Sequence, residues 1–481
     1  MSSPMKSGVE SEKLAELSIH EILELDPTDP TISGHLFILS GWAKEFRMAG
    51  SGVLMFLHLG DGLSTKKLQV VYDVPPEFNQ RISYEAAVEV QGHLVASPAK
   101  GQQVEIKATK ISLLGECDPE IYPFPKGKKG HSMEHLRKFP HLRAKTRIFS
   151  AIMKIKHQLF MGTHFFHNQR DFCWIQTPII TSSDCEGAGE AFSVISKNEP
   201  QYWRDQHAYL TVSGQLHVEP FALALGKVYT LGPSFRAEKS QTSRHLAEFW
   251  MLEPEMAFYD LSKMLDLIES YFKYVIRSVL TRCADELEVC AQKFKRPDLI
   301  ELLTKTEEQP FARVTYAEAL TILQQAQTKN KKLKFEKPSE WGIDLGSDQE
   351  KYLAEVHFQR PVFVTNYPES IKAFYMYRDD LPEGQPESMR TVSCVDCLFP
   401  GIGEVVGGSQ REHRLPILQE KIAQFGLDPK LYEWYTDTRR FGGAPHSGFG
   451  VGMDRLLRFL TGIENIMDAV PYPVRYELLT S

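Results

Sequence analysis

The chain has 481 residues, 42% of them apolar and 24% charged, with a formal charge of −7. That balance fits a folded protein of two or three domains, and no apolar run approaches the roughly 18 residues a membrane helix needs. Met1 opens no secretory segment, and seven cysteines, a low and odd count, argue against a disulfide framework and for a reducing compartment.

Residues 1–33 are polar and acidic and predict a tail with one short helix. Residues 34–118 change character. Leu36–Trp42, Val53–Leu59 and Leu68–Tyr72 are apolar or β-rich, and 87–91 and 104–108 alternate apolar with polar residues. Gly60-Asp61-Gly62 and Ser97-Pro98 mark turns. About five short strands in this span predict a small barrel of the OB type. Tyr122-Pro123-Phe124-Pro125 breaks regular structure and opens a hinge over 119–147.

Within it, Lys126 to Arg147 carries eight Lys/Arg against one acid, Glu134. The net charge alone argues against a nucleic-acid partner, but a local basic stripe can supply phosphate contacts on an acidic protein. A solvated linker would show the same charge run.

From Ile148 onward a larger α+β domain is expected. Ile148, Ile152, Ile155 and Leu159 recur at helical spacing, and Phe172–Ile180 reads as a buried strand holding Thr177-Pro178. Residues 206–258 and 391–411 read as strands, and 259–335 as a mostly helical insertion. Phe449–Leu457 is a Gly-rich strand and turn into a helix. Cys394 and Cys397 form a CxxC, but no second ligand pair lies nearby and strand alternation puts them on opposite faces, so they read as strand residues.

Chemistry enters with Gly232–Glu238 and, after a polar loop, Arg244–Phe249. As a hairpin, this pair would bind a nucleotide. Arg236 offers a planar fork to phosphate or carboxylate, Glu238 can accept from an exocyclic amine, and Phe249 offers a stacking face. Alone it would be a surface hairpin with ion pairs. It stands, however, between the Pro178 strand and Gly448–Arg455. Three such segments in this order resemble the signature motifs of class II aminoacyl-tRNA synthetases. Asp184–Glu190, Thr211–His217, Ser243–Phe249, Gly401–Glu412 and Pro445–Gly450 resemble the asparaginyl-tRNA synthetases in particular, and the likeness runs from about residue 34 to the C-terminus. Chain length and the segments Val53–Val71 and Val88–Asp118 look closest to the mitochondrial form.

The resemblance implies an enzyme that activates asparagine with ATP and transfers it to tRNA(Asn), with Mg²⁺ as cofactor. It places Arg236 between the amino-acid carboxylate and the α-phosphate and Arg455 on the γ-phosphate. Phe249, Glu238, Arg244 and His245 surround the nucleotide, and Asp396 and Glu404 hold the metal. Such chemistry needs positioning and charge neutralisation and no side-chain nucleophile. In the amino-acid pocket, Glu186 and Gln215 would face the α-amino group and Arg411 the side-chain carbonyl.

Aspartyl-tRNA synthetases resemble the chain too, but typically carry a lysine three residues after the match to Gln215, where this chain has Val218 followed by Glu219. Arg411 as donor with Glu219 as acceptor suits a side-chain amide. Phe56 and Gln69 match positions that stack on and hydrogen-bond an anticodon base, and Arg47 stands near a family arginine. Departures from the pattern are Gly60, Tyr377 (which delays Arg378 by one place), Met467 and Val474, with Arg475 next.

The family further implies a homodimer built around the Pro178 segment, and the mitochondrial matrix as location. The acid-rich, arginine-free residues 1–33 are unlike a transit peptide, which leaves the cytoplasm as the alternative. Competing readings are an aspartyl enzyme, a paralogue making asparagine from aspartate and ammonia, and a scaffold with a dead catalytic domain. Val218 opposes the first, the N-terminal domain and basic stripe the second, and the intact Arg236, Glu404, Arg411 and Arg455 the third.

Overall fold

The computed structural model describes residues 17–98, 102–127, 130–182, 191–199, 201–204 and 206–479. The chain forms two compact units, Met1–Ser150 and Ala151–Ser481. None of the helices among the described residues is long and apolar enough to cross a membrane.

The first unit is a closed five-stranded barrel of β1 (Leu36–Ala49), β2 (Leu54–Gly60), β3 (Leu68–Asp73), β4 (Ala87–Ala96) and β5 (Val104–Gly115), in the order β1-β2-β3-β5-β4. Alternation drives it: on β3 and β4 every second residue is buried, which sends Leu68, Val70, Val88 and Val90 inward. At Gly92 the β4 backbone lies so close to β5 that a Cβ would sit 2.7 Å from the Ala108 Cα, beside a bulge between Gln91 and Gly92.

Part of the expected tail belongs to this unit. The helix Ile19–Ile22 starts on a capping box of Ser18 and Glu21, and Asp61 accepts from the Ile19 N–H at 2.7 Å. Ile19, Ile22 and Ile32 enter the barrel core, each stabilising it by about 1.5–3 kcal/mol. Residues 119–147, read from sequence as a hinge, fall within the barrel's unit.

The second unit is built on an eight-stranded sheet in the order β11-β12-β13-β14-β15-β10-β9-β6. The strands are β6 (Cys173–Trp174), β9 (Lys227–Phe235), β10 (Glu248–Ala257), β11 (Ala312–Thr315), β12 (Val362–Thr365), β13 (Cys394–Phe399), β14 (Gly403–Gln410) and β15 (His446–Gly452). The central pairings are antiparallel and only the two edge pairings, β11 with β12 and β6 with β9, are parallel. Two short strands, β7 (Ile180–Thr181) and β8 (Tyr209–Leu210), pair separately. Helices Arg147–Asn168 and Leu261–Arg282 flank the sheet; Tyr271, Phe272, Val275 and Ile276 of the latter are wholly buried.

Three expectations change here. Phe172–Ile180 is not one buried strand: β6 and β7 are two residues each, and Trp174, Ile179 and Ile180 are exposed. Pro178, without an N–H, cannot continue a ladder. Residues 259–335 are mainly helical, yet they supply the edge strand β11 and the ring of Phe311, 5.5 Å from Phe363, so they are woven into the sheet. Most consequential, the stretch read as strand over 206–258 contains a helix, Gln215–Leu225, entered at Gly214. Leu216, Val218, Glu219 and Ala222 are its buried residues, a helical period that the strand reading missed.

Candidate active site

A cavity of about 310 Å³ opens on one face of the large sheet. Gln215, Arg236, Glu238, Arg244, His245, Phe249, Asp396, Glu404, Arg411 and Arg455 all line it. These residues come from the start of a helix, the β9–β10 hairpin, β13, β14 and the first turn of the helix Met453–Thr461.

The hairpin carries the nucleotide candidates. Arg236 follows β9, its N–H bonded to the Ala247 carbonyl at 3.0 Å, and its guanidinium lies 5.4 Å from the Phe249 ring. Glu238 stands 3.8 Å from His245, whose ring is in turn held by Thr242 Oγ1 at 2.7 Å and Ser240 Oγ at 3.0 Å. Burial lowers His245 against the pull of Glu238, and the nearby Arg455, Arg244 and Arg236 add to the effect. The C-terminal segment ties this loop down. Ala247 N–H donates to Val474 O at 2.8 Å and Arg475 to Gln241 O at 3.1 Å.

On the opposite wall, Asp396 of β13 faces Gly407 of β14 across the ladder. A Cβ built on Gly407 would lie 3.3 Å from Glu404 Oε1 and 3.9 Å from Asp396 Oδ1. Both carboxylates therefore converge on a notch beside Gly407, where a Cβ would press on Glu404. Arg455 donates to the Glu404 carbonyl at 3.1 Å and lies 3.9 Å from its carboxylate, at a helix N-terminus suited to anions. Asp454 beside it accepts from Lys156 at 2.8 Å and from the Trp250 N–H at 3.2 Å, which fixes the helix start against β10.

Deeper in, Arg411 is 2% exposed and bound to Glu255 of β10 through both Nε (3.2 Å) and Nη2, with Ser409 Oγ at 2.9 Å from Nη1. Glu255 has no exposure; burial pushes it up to about 7, with Arg411 opposing. A Cβ on Gly448 would overlap the Glu255 carboxylate, which accounts for the glycine there. Glu253, two residues along the same face, accepts from Ser213 Oγ and from the Gly214 N–H at 2.8 Å and also lines the cavity.

Glu219 is a correction. It does not line the cavity. Val218 and Glu219 are neighbours on a helix, so their side chains diverge by about 100°. Val218 packs with Ala222 and Val228, while Glu219, with no exposure, accepts from Tyr435 at 2.9 and 3.0 Å, from Arg439, and meets His446 Nε2 at 2.7 Å. Burial opposes its ionisation, but Arg439 and then His446 outweigh it and hold Glu219 below the ordinary carboxylate range. It braces the floor on which Gln215 stands.

Glu186 lies outside the described residues. Tyr377 stacks on His413 at 5.6 Å, and Arg378 bonds Glu369 (2.8 Å) and Glu420 (3.0 Å), away from the cavity. Met467 is buried. Cys394 and Cys397 are buried free thiols on β13. Residues missed from sequence are Glu253, Glu255, Lys372 and Tyr375. In the barrel, Arg47 pairs with Phe56 across the ladder, its guanidinium 4.5 Å over the ring, and Gln69 sits opposite His58, diagonal to Phe56 on one face. Gln69 donates to Glu105 at 2.9 Å.

Residues 132–476 match the family described as tRNA synthetases class II (D, K and N). The chain is 44% identical over 467 residues to an asparagine–tRNA ligase of Microcystis aeruginosa, covering 95% of this chain and 97% of that one. The chain belongs to the asparagine–tRNA ligases. An Escherichia coli asparagine–tRNA ligase is also 44% identical, over 90% of this chain and 93% of its own length. Among solved structures, the asparaginyl-tRNA synthetase of Pyrococcus horikoshii complexed with asparaginyl-adenylate superposes with a TM-score of 0.83 at 34% identity, over 97% of this chain and 99% of that one. The family membership makes this cavity, lined by arginines and carboxylates, the candidate active site of a ligase.

Proposed function

We propose that this cavity joins asparagine to ATP as asparaginyl-adenylate and then passes the asparaginyl group to tRNA(Asn). In the first step an oxygen of the asparagine carboxylate attacks the α-phosphorus, the bond to the β-phosphate breaks, and pyrophosphate leaves. The observation that carries the reading is that Gln215, Arg236, Phe249, Glu404, Arg411 and Arg455, far apart in sequence, line one cavity.

Arg236 neutralises the two anions as they meet, and Arg455 holds the departing phosphates. Phe249 stacks on adenine, with Glu238, His245 and Arg244 around it. Gln215, with Glu186, orients the α-amino group; Arg411 donates to the side-chain carbonyl. The residues fit Mg²⁺, which is bound through one or two carboxylates plus substrate phosphates: Asp396 and Glu404 converge on the Gly407 notch. When bound there, the ion would neutralise phosphate charge.

Arg236→Ala tests the reading. ATP–pyrophosphate exchange should fall by about 10²–10³-fold or more with the melting temperature unchanged; near-normal exchange would place the reaction elsewhere.

The barrel serves the anticodon through Phe56 and Gln69, and the basic stripe the tRNA backbone. The working form is a homodimer. Support comes from apolar side chains left in solvent around the Pro178 segment: Trp174, Ile179 and Ile180, together with Met161 and Phe165 one turn apart on the helix Arg147–Asn168. A monomeric mass in light scattering at micromolar concentration would count against it. The mitochondrial matrix is the proposed location, on the likeness of Val53–Val71 and Val88–Asp118, with the cytoplasm as alternative; cell fractionation decides.

A further inference from the structure

Lys372 lines the cavity beside the acidic notch and has no part in the roles assigned above. It follows the short turn Glu369–Ile371. Its ammonium is 2.7 Å from Asp396 Oδ2 and 3.9 Å from the centre of the buried Tyr367 ring. The obvious alternative partner is taken: Glu369 is held by Lys421 at 3.0 Å and by Arg378 at 2.8 Å. Lys372 is thus committed to Asp396. The second carboxylate has its own cation, Arg455, 3.9 Å from Glu404.

Each of the two carboxylates proposed to hold the divalent ion is therefore already compensated by a side-chain cation in the ligand-free enzyme. A dication arriving alone would meet an Asp396 whose Oδ2 is already held by an ammonium at 2.7 Å, and would find only Oδ1 facing the notch and a positive charge close behind it. Arriving with a nucleotide, it brings phosphate oxygens to which Lys372 and Arg455 can transfer their charge. We propose that Lys372 is a resident counter-cation that reserves Asp396 for a metal–nucleotide complex and keeps free divalent ions out. Metal and nucleotide then bind with positive coupling, and by linkage each strengthens the other equally. Lys372 is a positioning residue for the charge balance of the site.

The inference rests on the reading of Asp396 and Glu404 as the metal carboxylates, and the test separates the two. Mn²⁺ binding to the full-length enzyme is followed by electron paramagnetic resonance, with and without a nonhydrolysable α,β-methylene ATP. The wild type should bind Mn²⁺ weakly alone and about tenfold or more tightly with the nucleotide. Lys372→Met should bind Mn²⁺ alone about tenfold more tightly than wild type and lose most of the nucleotide effect; Lys372→Arg, which keeps the charge, should behave as wild type. Unchanged or weaker binding of Mn²⁺ alone by a folded Lys372→Met protein overturns the proposal. If Asp396→Asn retains wild-type Mn²⁺ binding in the presence of nucleotide, the metal reading itself fails, and the proposal with it.

Discussion

Replacing Glu219 by glutamine changes one charge and almost no volume, at a residue with no exposure to solvent. The amide can still accept from Tyr435, now 2.9 Å away, but the Arg439 guanidinium loses its counter-charge, and Arg439 is itself buried. Removing one partner of a buried pair costs about 3–5 kcal/mol, because the other charge stays behind uncompensated. At roughly 2–4 °C per kcal/mol, the melting temperature should fall by about 6–20 °C. The assay is thermal melting of wild type, Glu219→Gln, Arg439→Met and the double variant. The double variant should recover much of the loss, since it leaves neither charge buried alone and the introduced amide can still accept from Tyr435. Exchange kinetics supply a second readout: a loosened helix Gln215–Leu225 should raise KM for asparagine, because Gln215 stands at its start. If Glu219→Gln melts like wild type while losing its discrimination between asparagine and aspartate, Glu219 touches the substrate and the bracing role is wrong.

Two further outcomes follow from charge. Burial pushes Glu255 up to about 7 against the pull of Arg411, so acidification from about pH 8 to about 6 should favour its protonated form and weaken the counter-charge to Arg411, while free aspartate, with a side-chain pKa near 3.9, stays ionised. The ratio of kcat/KM for aspartate over asparagine in pyrophosphate exchange should rise over that range; a flat ratio would show that Glu255 does not set the pocket's charge. Binding of tRNA should weaken steeply with salt, and neutralising Lys126, Lys128 and Lys129 should reduce the log–log slope by about 0.7–0.9 for each phosphate the stripe no longer neutralises. An unchanged slope would leave the stripe a linker.

The barrel was readable because β3 and β4 bury every second residue, a signal local to each strand. The cavity's arginines were readable because they sit in strings with family likeness. Misreadings arose where period and packing disagree with appearance. Thr211–Phe221 has apolar residues spaced loosely enough for either element, and only packing against β9 and β10 makes Gln215–Leu225 a helix. The family pattern, not the strand reading, puts Glu219 in the pocket, and only its packing against Tyr435, Arg439 and His446 shows the carboxylate already engaged. Glu253 and Glu255 did leave a trace: two acids two apart among Leu252, Pro254 and Met256 demand buried partners, which are Ser213 and the Gly214 N–H for one and Arg411 for the other. Lys372 left none, because it meets Asp396, 24 residues away, only in the folded chain.

The most direct measurement is ATP–pyrophosphate exchange with asparagine and aspartate side by side, followed by charging of total tRNA with each. Asparagine should support both steps. Aspartate should be rejected in both, by about 10⁴-fold in the favourable case where a buried polar match decides. Exchange driven equally well by aspartate, or asparagine activation with no transfer to tRNA, would contradict the function assigned to this site.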